Sequence, residues 1–172
     1  MSLPRSSLHD VDTRTPPHAL WVRRGFVLVL AAFVAAGLSG VLGVRTATTT
    51  ATSEDWRLEL RHAAVARAGL DVPWEVTIEH VGGFTDDVVL SVTGDYLDIY
   101  ETQGFAPEPV EMVRDGSTLY LTFAPPPAGE TFVVSYDAYI QPASQRGAKA
   151  TLSVLDGDVP VVSLDFETRL LP

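Results

Sequence analysis

Side chains able to exchange protons near neutrality are few in this 172-residue chain: His9, His18, His62 and His80, with no cysteine. Nucleophilic catalysis needs a base beside a Ser, Thr or Cys. Only His62 and His80 follow residue 54, and no G-x-S-x-G motif accompanies them. His80 ends a strand pattern next to Gly82-Gly83, where a solvated strand-end role suffices. The pattern predicts no reaction, so the chain reads as a non-enzyme. Lack of cysteine removes a thiolate nucleophile, a Cys-ligated zinc site, a disulfide scaffold and a lipoprotein anchor. With two histidines and Met112 as the other soft donors of that region, copper and zinc sites are not expected. Gly82-Gly83 also lacks the strand–G-x-G-x-x-G–helix setting of a phosphate loop.

Carboxylates are plentiful. Asp86, Asp87, Asp95, Asp98 and Glu101 form one cluster, and Asp156, Asp158, Asp165 and Glu167 another. Such oxygen ligands suit Ca²⁺, yet no D-x-[DN]-x-[DN]-G loop is present, and Asp156-Gly157-Asp158 follows from hairpin geometry alone. Binding of Ca²⁺ or a glycan is the alternative function, and no cofactor is expected. Among the aromatics, Tyr120 and Tyr139 fall on outward strand registers and form a candidate binding surface.

Charge is distributed unevenly. The formal net charge is -10, but residues 1–24 are net positive through Arg5, Arg14, Arg23 and Arg24, whereas residues 54–172 hold twenty acids against seven bases. An acidic body excludes nucleic acid as a partner, because phosphate contacts require a basic surface. Asparagine is absent and Lys149 is the only lysine, a codon bias of high-GC bacterial genomes.

The strongest signal is residues 25–44, GFVLVLAAFVAAGLSGVLGV, twenty residues without charge or proline. At about 1.5 Å per residue this run spans a bilayer core, and lipid forces it to be helical. Arg23 and Arg24 bound it on one side and Arg45 on the other, with Trp21 as an interfacial anchor. The excess of arginine before the run places residues 1–24 in the cytoplasm and the C-terminal part outside, at the cell membrane. A cleaved signal peptide, giving a secreted protein, is the competing reading. The run is longer than an h-region and no A-x-A site follows it. Ala32, Ala36 and Gly40 recur at steps of four, as do Ser39 and Gly43, a spacing that lets two membrane helices pair.

Around this span, residues 1–24 predict a disordered tail and the Thr/Ser-rich residues 45–53 a spacer. From residue 54 the apolar period becomes two. Trp74, Val76 and Ile78 share one face, as do Val88, Leu90 and Val92; Leu119, Leu121 and Phe123; Phe132, Val134, Tyr136, Ala138 and Ile140; Ala150, Leu152 and Val154; and Val162, Leu164 and Phe166. Residues 56–66 read as a further strand. Asp115-Gly116, Gln145-Arg146-Gly147 and Asp156-Gly157-Asp158 predict hairpins, and residues 124–129 (APPPAG) a loop. Seven to nine short strands without βαβ alternation predict an all-β, Ig-like antiparallel β-sandwich over residues 54–172, preceded by one transmembrane helix. In architecture alone the chain resembles single-pass envelope proteins of high-GC Gram-positive bacteria that carry an Ig-like or fibronectin-III-like domain. The leading reading of the chain is an interaction or accessory module whose partners are the bilayer and a membrane or envelope protein.

Overall fold

The computed structural model describes residues 17–38, 43–101 and 104–171. They belong to two compact units, Met1–Leu42 and Gly43–Pro172.

The first unit is a helix, α1 (Pro17–Leu38). Proline suits a first helical position, where its missing N–H would be unpaired anyway. The helix therefore starts earlier than residue 25, and residues 17–24, assigned to the tail by sequence, continue the same helix. The remainder of the predicted tail and Gly40 of the predicted pairing face lie outside the described residues.

The second unit begins with a correction. Residues 45–53 are not a spacer but strand β1 (Arg45–Ser53), paired antiparallel with β2 (Trp56–Arg67) from Arg45 opposite Val65 to Ser53 opposite Trp56. Their threonines are β-branched and favour extended backbone, and the β2 edge supplies the hydrogen bonds that a free linker would take from water. Glu54 turns the hairpin at a φ of 47°.

The other strands are β3 (Asp71–Val72), β4 (Trp74–His80), β5 (Val88–Val92), β6 (Phe105–Ala106), β7 (Glu111–Asp115), β8 (Thr118–Phe123), β9 (Thr131–Tyr136), β10 (Ala138–Tyr139), β11 (Ala148–Asp156) and β12 (Val159–Leu171), with a 3₁₀ turn at Tyr96–Ile99. Ten strands form one sheet in the order β6-β9-β4-β2-β12-β11-β5-β8-β7, with β1 on β2, while β3 and β10 form a small second sheet. The chain is mostly β with one N-terminal apolar helix, as predicted, and its strands, more than the seven to nine expected, form a continuous curled sheet closer to a half-barrel. Continuity comes from one join. All main pairings are antiparallel except β12 with β2, where Arg169 lies opposite Val65 and Leu171 opposite Arg67 in parallel.

The period-two positions line the inside of the curl. Leu58, Leu60, Trp74, Val76, Ile78, Leu90, Val92, Leu121, Phe123, Val134, Leu152 and Val154 are all buried. Each such side chain is worth about 1.5–3 kcal/mol relative to exposure. Two pairs of expected hairpin strands meet as read: Gly116 and Gly157 take positive φ in the β7–β8 and β11–β12 turns. Gln145-Arg146-Gly147 does not close a hairpin, because β10 pairs with β3 rather than with β11. Gly147 is required there for a different reason: a Cβ would collide with the Thr168 carbonyl.

A buried polar chain fastens the 3₁₀ turn to the parallel join. Thr168 Oγ1 donates to the Ala63 carbonyl at 2.6 Å, because a carbonyl only accepts. Thr168 Oγ1 accordingly accepts from the Tyr96 hydroxyl at 2.8 Å, and Tyr96 accepts from Tyr100 at 2.6 Å. Burial raises the pKa of Tyr96 well above the ordinary tyrosine value and that of Tyr100 above it, keeping both hydroxyls protonated as the chain requires.

Candidate functional site

Of the sequence-selected membrane residues, Trp21, Arg23 and Arg24 lie within α1 rather than before it, and Arg45 opens β1 in the other unit. The Arg24 guanidinium carbon stands 5.7 Å from the centre of the Trp21 ring, one helical turn away, within cation–π range. Ala32 and Ala36 are both exposed and four residues apart on the helix. The stretch His18–Leu38 is long and apolar enough to cross a membrane, and none of its most apolar window is buried within the chain.

Tyr120 and Tyr139 belong to different elements. Tyr120 sits on β8 between Val113 of β7 and Ser91 of β5, half-buried. Tyr139 belongs to the small sheet, opposite Asp71, with its hydroxyl beside Gly69. They occupy different sheets.

The acidic clusters resolve into separate local roles. Asp98 binds Arg114 at 2.9 Å, Asp165 accepts from Thr151, and Glu167 holds both Lys149 at 3.6 Å and Arg169 at 3.0 Å. Asp86, Asp87 and Asp156 border one hollow beside Trp56 and His80. Among the described residues, no three His, Asp or Glu side chains converge in a way that could hold a metal ion.

The two outer histidines have different surroundings. His80 stacks on Trp56 at 3.9 Å between ring centres and directs Nδ1 to the Gly83 carbonyl at 2.6 Å, so Nδ1 carries the proton. His62 is buried under Phe166, with ring centres 5.2 Å apart, and its Nδ1 has no hydrogen-bond partner among the described residues. It lies at the edge of an open groove of about 700 Å³ between β1 and the β11–β12 pair. Burial lowers its pKa below 6.5, outweighing backbone hydrogen bonds at Glu167 and Leu60. Because the folded value is depressed, the unfolded chain binds the extra proton first. Stability is therefore present above pH 6.5 and falls as pH drops below it. Thermal melts of the full chain in detergent should show Tm decreasing from pH 7 to 5.5, with a shallower slope for His62→Gln; equal slopes would remove His62 from the account.

One feature escaped the sequence reading. The curled sheet ends at β6 on one side and β7 on the other. Beside these ends lies an open cleft of about 430 Å³, lined by Tyr100, Phe105, Met112, Leu119 and Tyr136 and bordered by the Asp98–Arg114 pair. Its trace in the sequence is the run Val110, Met112, Val113, apolar on both parities where a half-buried strand would alternate.

No protein-family model matches the chain, and no curated protein does. Among solved structures the chain is similar, at 17% identity and a TM-score of 0.31, to the Pseudomonas fluorescens alkylpurine DNA glycosylase AlkC bound to DNA containing an abasic site analog; the alignment covers 89% of this chain and 38% of that one. A likeness this slight carries neither fold nor function.

Proposed function

We propose that this chain is a single-pass membrane protein that presents a β domain outside the cell membrane as a non-enzymatic interaction or accessory module. The observation that carries the proposal is α1: a 22-residue helix that is long and apolar enough to cross a membrane. Val27, Leu28, Val29, Phe33 and Val34 are all exposed, and lipid is the environment in which such a helix is at home. Arg23 and Arg24 in the first turns of α1, with Arg5 and Arg14 earlier in the sequence, favour a cytoplasmic N-terminus.

The finer fold reading is an Ig-like or fibronectin-III-like sandwich. Its support is connectivity. The order β2-β4-β9-β6 matches the A-B-E-D sheet of an Ig constant-type domain, and β5-β11-β12 matches C-F-G, each in chain order. The β7–β8 hairpin is then an addition beside the C strand. Contacts such as Phe123 with Phe132, 5.6 Å apart, link the two halves across the core.

Partners in this reading are the bilayer and a membrane or envelope protein, with nucleic acid disfavoured by the acidic domain. The test is topology. Carbonate washing should leave the full chain in the membrane pellet, and protease added to intact spheroplasts should remove the β domain while sparing the N-terminal tail. A mature N-terminus near residue 52, or a protected β domain, would overturn the reading.

A further inference from the structure

We propose that β7 is a docking edge to which a basic, extended segment of a partner protein adds as an extra strand, seating an apolar side chain in the adjoining aromatic cleft. The inference rests on the interaction-module reading and names the surface and the chemistry of what it takes. β7 is terminal in the sheet order and pairs only with β8 among the described residues, so its outer backbone groups offer a ladder to another strand.

The other end of the sheet order is less suited. β6 is two residues long and runs into Pro107 and Pro109, which have no N–H to donate. By contrast, β7 has no proline and no register shift against β8. All five of its residues are exposed.

Met112 is the telling residue. Its register partner Leu121 is fully buried, yet Met112 itself is 55% exposed, an inward-register apolar side chain without a cover. It borders the cleft of Tyr100, Phe105 and Tyr136, where an added strand would place an alternate side chain.

Charge selects the occupant. Glu111 and Asp115 lie on β7 itself, Glu108 precedes it by three residues, and Arg114, the one cation of the strand, is already held by Asp98. A second copy would bring the same acidic edge against this one, so complementarity favours Lys or Arg on the incoming strand.

The probe is a synthetic peptide of alternating lysine and valine with a central phenylalanine, titrated onto the full chain in nanodiscs and followed by amide NMR. A glutamate–valine counterpart tests charge. A lysine–valine peptide N-methylated at alternate residues keeps the charge but cannot complete the ladder. Shifts confined to β7, β8 and the cleft are expected. Binding should weaken by at least about tenfold for the N-methylated peptide, the glutamate peptide and the Met112→Lys variant. Equal binding of the methylated and unmethylated peptides would overturn strand addition, as would shifts centred on Asp86, Asp87 and Asp156. Self-association abolished by Met112→Lys would overturn it in favour of a second copy. Carbonate extraction is independent of this titration, so failure of the anchor reading and failure of the docking edge are distinguishable.

Discussion

Trp74→Ala should destabilise the β domain by about 3–5 kcal/mol, a large fraction of the roughly 5–15 kcal/mol that holds an ordinary domain folded. Trp74 is 1% exposed and stands edge-on to Phe105 and Tyr136, each 6.1 Å away between ring centres. Its strand lies between β2 and β9, so a cavity at this position cannot be filled by a surface loop moving inward. The indole Nε1 has no hydrogen-bond partner among the described residues. Trp74→Phe therefore loses no hydrogen bond, leaves a smaller void and should cost much less. Denaturant unfolding of the full chain in detergent, followed by near-ultraviolet circular dichroism, measures both. A loss under about 1 kcal/mol for Trp74→Ala would show that the aromatic packing is not the keystone of the core.

In the proposed single-pass topology, placing arginine at both Leu30 and Phe33 should release the chain from the membrane. Both positions lie in α1 and in the uncharged run of residues 25–44, so the outcome does not depend on which end of the helix meets the interface. Each mid-membrane arginine opposes insertion by about 2.5–3.5 kcal/mol, so the pair erases much of the favourable transfer of the apolar side chains. Leu30→Ala with Phe33→Ala keeps the segment apolar and should remain in the carbonate-washed pellet. Retention of the double-arginine chain in that pellet would mean that something other than α1 holds it.

The interior strands were legible because burial on one face imposes a period of two. Trp74, Val76 and Ile78, and Leu152 with Val154, declare their face by type alone, and the structure buries each of them. Hairpins at Asp115-Gly116 and Asp156-Gly157 were equally readable, since positive φ at the glycines is a local demand. Residues 45–53 were not, because threonine and alanine without an apolar stripe describe a linker and an edge strand equally well. What settles them is the free side of β2, a property of another segment.

Function-related features divide in the same way. An uncharged run long enough to cross a bilayer, the arginines that flank it and the acidity of the remainder are set by composition and order, because insertion into lipid is a sum over consecutive residues. No such sum reveals that β12 meets β2 in parallel and curls the sheet, or that Tyr96, Tyr100 and Thr168 share one hydrogen-bonded chain. Nor does it put Tyr120 and Tyr139 in different sheets, or leave Met112 exposed beside an aromatic cleft. These depend on contacts between residues far apart in the chain, whose identity is decided only when the strands choose their neighbours.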